Sequence, residues 1–260
     1  MNTTITIRDV LDFLDSKAPV SMKLPNDNVG LLVGDGSDVC NRVMLSLDIT
    51  PEVVREAAEY GAQLIVSHHP VIRSGLTSVT SDSSEVVWRL GDFKIAAICM
   101  HTNLDAAFGG VNDELARVLG LADYEHNYGG NDHIGRVGTL PDPIALPDFA
   151  MRVKLALNAN GVRYYDAGVP AQRVMVCGGS GADYCDPAVI RRLGFDTLVS
   201  ADFKHGTWLT AKQYGVNAID AGHYSTENVV IPVLRSWLIG EFPSLEILIS
   251  EKHVQIEQYA

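Results

Sequence analysis

Cysteine is scarce in this chain. Its four copies in 260 residues (Cys40, Cys99, Cys177, Cys185) form no CxxC pair, so neither a disulfide framework nor a Cys-based zinc motif is encoded. They read as reduced, mostly buried thiols of a cytosolic protein. Basic residues are also in the minority. Twenty Lys plus Arg against 32 Asp plus Glu leave a net charge of −12. Such a surface repels phosphate backbones and anionic bilayers, which argues against duplex nucleic acid and membrane surfaces as partners; local cations such as Arg73 and Lys204 offset this only in part. No apolar run approaches the roughly 18 residues of a membrane span. The opening MNTTITIRDV has neither the basic region nor the apolar stretch of a secretory signal, so a cytoplasmic location is expected. Glycine and proline are not in excess, at 23 and 11 residues, and 20% of residues are charged. Collagen, coiled coil and wholesale disorder are thereby excluded.

What is present is apolar material, 47% of the chain, enough for one large α/β unit or two interlocked halves. Residues 7–14 (IRDVLDFL) have the spacing of an amphipathic helix. After an irregular PNDNVGLLVGDG stretch, RVMLSLDI (42–49) reads as a strand. A helix follows from Pro51 to about Tyr60, with Thr50 as N-cap, Pro51 in the first position and Glu52 in the first turn. Gly61 ends it, and QLIVSHHP reads as a buried apolar strand with a polar tip. The same order of helix, glycine, apolar run and polar tip recurs in 91–105, 192–205 and 213–227. Alternating helices and strands predict a mainly parallel sheet with helices on both faces, and ligands of such sheets collect beyond the carboxyl ends of the strands.

AAEYGAQLIVSHH (57–69) and AKQYGVNAIDAGH (211–223) align without gaps, sharing Tyr60/Tyr214, Gly61/Gly215, Ile65/Ile219 and His69/His223. Either this is the chance likeness of any two helix–Gly–strand units, or it marks duplicated halves with equivalent histidines. The Gly-rich NYGGNDHIGRVGTL and Pro-rich PDPIALPDF, followed by a helical MRVKLALNANG, suggest a boundary near residue 127. The expected lobes are 1–126 plus 222–260, and 127–221.

Chemistry-bearing residues gather at the polar tips. His68 and His69 stand together before Pro70; adjacent ligands suit two neighbouring ions better than one, although a plain loop pair reads the same way. HTNLD (101–105) brings His101 and Asp105, a hard oxygen donor or a helix cap. In GHYSTE (222–227), His223 and Glu227 are four apart, the spacing of one helical face. There Ser225 or Thr226 would cap a helix ENVVIPVLRSWL, and Glu227 is a ligand or an N-terminal carboxylate. Together His68, His69, Asp105, His223 and Glu227 form the kind of set used by dinuclear zinc, iron or manganese sites.

LIVSHHP, HTNLD and DAGHYSTE, with DNVGLLVG early and CGGSG later, resemble the NGG-interacting-factor-three-like family, whose bacterial members are commonly labelled type-two GTP cyclohydrolase one homologues. The likeness runs from Asp27 to Glu227. It implies two related three-layer α/β halves with mainly parallel or mixed sheets, a metal site in the cleft between them, and a hexameric toroid. It also implies two divalent ions per subunit (Zn, Fe, Mn or Ni): His68 and Asp105 on one, His69 and His223 on the other, Glu227 bridging both. A family segment on the opposite rim reads SADFKHGTW here, with Ala201 for the usual glycine and Asp202, Lys204 and His205 retained. His101 and His205 are candidates for proton transfer or substrate contact, or else support the ligands from behind. CGGSG (177–181) is a tight turn or a backbone cradle for phosphate. The expected function is a metal-dependent hydrolase of a small nucleotide-like or phosphorylated compound, GTP cyclohydrolase-like activity included. The alternative is a non-enzymatic metal-binding oligomer acting as chaperone, store or regulatory partner.

Overall fold

A computed structural model of the chain describes residues 4–126 and 134–259. In chain order the helices and strands are α1 (Ile7–Lys17), β1 (Gly30–Val33), β2 (Arg42–Ser46), α2 (Pro51–Glu59), β3 (Leu64–Ser67), α3 (Glu85–Phe93), β4 (Ala96–Cys99), α4 (Thr102–Ala106), α5 (Val111–Val118), β5 (Ala122–Glu125) and β6 (Arg136–Ile144). There follow α6 (Leu146–Ala156), β7 (Arg163–Tyr165), β8 (Ala171–Val176), α7 (Pro187–Arg192), β9 (Thr197–Ser200), α8 (His205–Tyr214), β10 (Asn217–Asp220), α9 (His223–Glu227), α10 (Ile231–Glu241) and β11 (Glu246–Ile249).

The chain forms two compact units, Met1–Phe108 with Ile231–Val254, and Gly109–Val230 with Gln255–Ala260. These divisions differ from the expected breaks at 126/127 and 221/222. The Gly-rich stretch that suggested a boundary lies within the second unit, where its residues from Arg136 onward already belong to β6 and pair with β8; its residues 127–133 lie outside the described residues. Composition marks a loop, whereas strand pairing decides which unit owns it.

The first unit is built on a five-stranded sheet of order β1-β4-β3-β2-β11. Its strands β11, β2, β3 and β4 are parallel, and β1 joins the edge antiparallel. Strands β3 and β4 are buried at every residue, as expected of strands covered on both faces. One face carries Met44, Ile65 and Ala97 against Val53, Val54, Ala57 and Leu90 of α2 and α3. The alternate residues Val43, Leu45, Leu64 and Val66 are equally buried and face the other way. Helices α1 and α10 pack against β1, β2 and β11 with Ile7, Val10, Leu14, Leu234 and Leu238 buried. The start of α1 is fixed by a reciprocal cap: Thr6 Oγ1 accepts from Asp9 N–H while Asp9 accepts from Thr6 N–H. Thr50 caps α2 as its sequence predicts.

The second unit has a six-stranded mixed sheet of order β5-β6-β8-β9-β10-β7, in which β8, β9 and β10 are parallel and the rest antiparallel. Phe149 and Val153 of α6, Leu115 of α5 and Leu119 just after it bury one face against Val174, Val176, Val199 and Ile219. Each of these two sheets with its helices matches the expected α/β class, and both sheets are mixed. The ungapped echo has a structural counterpart. Gly61 after α2 and Gly215 after α8 both sit at φ 65°, the left-handed conformation that ends a helix and that glycine adopts without strain. A buried strand follows each. No helix among the described residues is long and apolar enough to cross a membrane.

Candidate metal centre

In the first unit, β2, β3 and β4 run parallel and end together. The hydrogen-bond ladder continues past their ends: His69 N–H donates to Leu47 O at 2.8 Å and Met100 N–H to Ser67 O at 2.9 Å. The backbones of the polar tips are therefore held in place before any side chain acts. The His68 and His69 rings lie 5.0 Å apart, and His101 stands 5.3 and 5.6 Å from them. Both neighbouring histidines are thus turned to one side, despite strand alternation. Their ligand-capable atoms and that of His101 all lie within 4.8 Å of one another.

Each of these rings is anchored at Nδ1. His68 Nδ1 bonds Met100 O at 2.9 Å, His69 Nδ1 bonds Asp48 Oδ1 at 2.7 Å, and His101 Nδ1 bonds Asp27 Oδ1 at 2.7 Å. A backbone carbonyl only accepts, so His68 Nδ1 carries the proton and Nε2 offers its lone pair. Burial opposes charge on Asp27, yet hydrogen bonds from His101 and Thr102 outweigh it and hold the carboxyl well below the usual range. Asp27 therefore accepts the Nδ1 proton of His101. A ring fixed at one nitrogen, with the other directed away, is the arrangement of metal-binding histidines and of their orienting partners.

Asp105 lies on α4, nearly buried, with Oδ1 3.7 Å from His68 Nε2. Two donors about 2 Å from one ion sit roughly 3–4 Å apart, so this separation suits a shared ion. The early DNVGLLVG segment also acquires a role. Asp27 holds His101 and Thr102, and Asn28 Nδ2 donates to Ile72 O at 2.7 Å, tying down the loop after the paired histidines.

In the second unit, His223 and Glu227 open and close α9 on one face, with His223 Nε2 3.1 Å from Glu227 Oε2. The expected long helix with Ser225 or Thr226 as its cap is not what forms. The long helix starts only at Ile231, and Thr226 Oγ1 instead donates within its own turn and accepts from Gly179 N–H. His223 Nδ1 bonds Asp202 Oδ2 at 2.7 Å, so this ring too is anchored at Nδ1. Burial works against charge on His223, but the Glu227 hydrogen bond and charge, with those of Asp202, push its pKa up to about 10.

Sequence reasoning did not single out Asp27, Asp48 or Asp202 as the anchors. One signal was available: the internal echo, extended backwards, aligns LSLD (45–48) with VSAD (199–202). His205 is the exposed first residue of α8, and no group of three or more metal-capable side chains among the described residues contains it.

The donors fit divalent metal: imidazoles fixed at Nδ1 beside carboxylates, with no thiolate among them. The four cysteines are buried thiols, and Cys99 Sγ donates to His68 O at 3.0 Å.

Comparison with known proteins places the chain in a family. The model of the Duf34/NIF3 (NGG1p interacting factor 3) family matches residues 5–255. A GTP cyclohydrolase 1 type 2 homolog of Clostridium perfringens is 31% identical over 228 residues, covering 85% of this chain and 86% of that protein. One from Streptomyces coelicolor is 33% identical over 237 residues, covering 85% and 81%. Among solved structures, a hypothetical protein of Staphylococcus aureus superposes with a TM-score of 0.89 at 30% identity over 99% of this chain and 100% of that one. A Bacillus cereus protein related to NIF3 has the same TM-score at 21% identity, with both chains fully covered, and shares the fold. On the extent of these matches, the chain belongs to the Duf34/NIF3 family.

Proposed function

We propose that this protein binds two divalent ions and hydrolyses a small nucleotide-like or phosphorylated compound. In this reading His68 and Asp105 hold one ion, His69 and His223 the other, and Glu227 serves both. The observation that carries it is the anchoring of four imidazoles at Nδ1, by Met100 O, Asp48, Asp27 and Asp202. When bound, paired divalent ions supply Lewis acidity and bring the pKa of water toward neutrality. The chain's own residues do the rest. Asp48 and Asp202 keep His69 and His223 from rotating. Asp27 keeps the Nδ1 proton on His101, so that Nε2 can take up or release a proton within the site.

A proton carrier with its own carboxylate is a feature that hydrolysis uses and storage does not. His205 is a second candidate for proton transfer or substrate contact, from the start of α8. The curated relatives' shared name, with its reference to GTP cyclohydrolase, favours a purine-like substrate. A cytoplasmic homo-oligomer, a hexamer in the form the resemblance implies, completes the reading.

Elemental analysis of the purified protein tests the centre: about two ions per chain are expected, and the dominant element then sets the conditions for a hydrolysis screen. Near-zero metal after reconstitution with Zn, Mn and Fe(II) would overturn it.

A further inference from the structure

We propose that Gly179 is a positioning residue that sets the reach of the Glu227 carboxylate and the His223 imidazole. The CGGSG loop is then a steric gauge for ligands and not a cradle for phosphate. The proposal rests on the metal-binding reading above.

The three glycine amides of the loop are already committed. Gly178 N–H donates to Asn112 Oδ1 at 2.7 Å, Gly179 N–H to Thr226 Oγ1 at 2.9 Å, and Gly181 N–H to Gly178 O at 3.2 Å. What the loop offers instead is the space left by a missing side chain. A methyl group placed on Gly179 would overlap Glu227 Oε1 and stand 2.8 Å from Glu227 Cδ and 3.1 Å from His223 Nε2. Real β-carbons do not approach that closely, so the carboxylate would have to leave its place.

Neither side can yield easily. Gly179 O accepts from Ala201 N–H at 3.0 Å, and the next residue, Asp202, holds His223 Nδ1. Thr226, which accepts from Gly179, directly precedes Glu227. The circuit Gly179–Ala201–Asp202–His223–Glu227–Thr226 thus closes on itself, and the glycine faces the metal-binding atoms of two of its members. Its φ of 57° adds a second reason for glycine. The neighbouring glycines differ. A methyl on Gly178 would come no nearer than 3.1 Å to Val111 and 3.3 Å to Glu227 Cγ, touching the stem of that side chain and not its carboxylate, and one on Gly181 would overlap Cys177. Gly215 is a control for backbone strain alone, with φ 65° and nothing within 4 Å of a built methyl.

The test uses the full chain as wild type, Gly179→Ala, Glu227→Asp, the double variant and Gly215→Ala. Tm is read on chelator-stripped protein, and the zinc dissociation constant by competition with a chromogenic chelator. Gly179→Ala is expected to weaken zinc binding at least about tenfold and to lower the stripped Tm further than Gly215→Ala does. Glu227→Asp, which withdraws the carboxylate by one methylene, is expected to return most of the extra Tm loss in the double variant. Wild-type zinc affinity in Gly179→Ala would overturn the proposal, and so would strictly additive Tm changes. Should the wild type itself bind no zinc, the metal reading would fall separately. Non-additivity in stripped protein would then still support the steric gauge, and additivity would still overturn it.

Discussion

Asp202 holds His223 at 2.7 Å through Nδ1, and Asp48 holds His69 in the same way at the same distance, each aspartate 21 residues ahead of its histidine. In both units the aspartate follows one parallel strand and the histidine follows the strand beside it. The equivalence predicts equivalent behaviour. Asp48→Ala and Asp202→Ala should each weaken metal binding by about 10–100-fold. Both carboxylates are about half exposed, so Tm should move little. Competition with a chromogenic chelator measures the first effect and calorimetry the second. Unchanged affinity in both variants would dismiss the anchoring role.

Asp27→Asn separates proton transfer from ligation at His101. The amide keeps the shape of the carboxylate but removes the charge that orients the ring. Turnover of a chromogenic phosphate ester should fall on the order of 10²-fold, with the metal count per chain unchanged. Loss of an ion along with activity would instead make His101 a ligand.

His253 supplies a pH dependence. Burial pushes its pKa down to about 4, against an opposing pull from Asp48, while its Nε2 accepts from Leu47 N–H at 3.1 Å. The folded protein therefore holds this ring neutral where the unfolded chain, near 6.5, would protonate it. Stability from this group is complete above about pH 6.5 and is lost as pH falls from there toward 4, by on the order of 3 kcal/mol. His253→Gln retains an acceptor for Leu47 N–H but does not titrate. Urea unfolding of stripped protein should show a shallower acid loss in that variant, and identical acid limbs would contradict the assignment.

Arg136 is fully buried and pairs with Asp113, which also accepts from Gly109 N–H at 2.7 Å. Removing Arg136 takes the guanidinium from a buried carboxylate that keeps only Gly109 N–H and His126 Nε2 beside it, so Arg136→Met should cost about 3 kcal/mol. The double variant Arg136→Met/Asp113→Ala should cost less than the sum of the single changes. Additive losses in urea unfolding would mean that the pair does not act as a unit.

Much of the local structure was legible in the sequence because its causes are local. Thr50–Pro51 starts α2, Gly61 ends it, and an apolar run buried on both sides becomes β3. The reading failed at Glu227, where a hydroxyl before an apolar stretch looked like the cap of a long helix. There Thr226 is engaged by Gly179, a partner 47 residues away in sequence, and α9 forms separately from α10. No window of neighbouring residues contains that information.

The same divide runs through the site. By itself the sequence determined the α/β class, the polar tips at the strand ends and the candidate donors, since hydrophobic periodicity and residue chemistry are properties of short segments. Only the tertiary structure separates an acid that faces an imidazole Nε2 from the acids that anchor the rings at Nδ1. Asp105 lies in the polar tip HTNLD and Asp27 in an irregular stretch; one stands 3.7 Å from His68 Nε2 and the other fixes His101 from behind. The role of the glycine loop was decided in the same way, because whether a backbone amide can receive an anion depends on whether a distant side chain already occupies it.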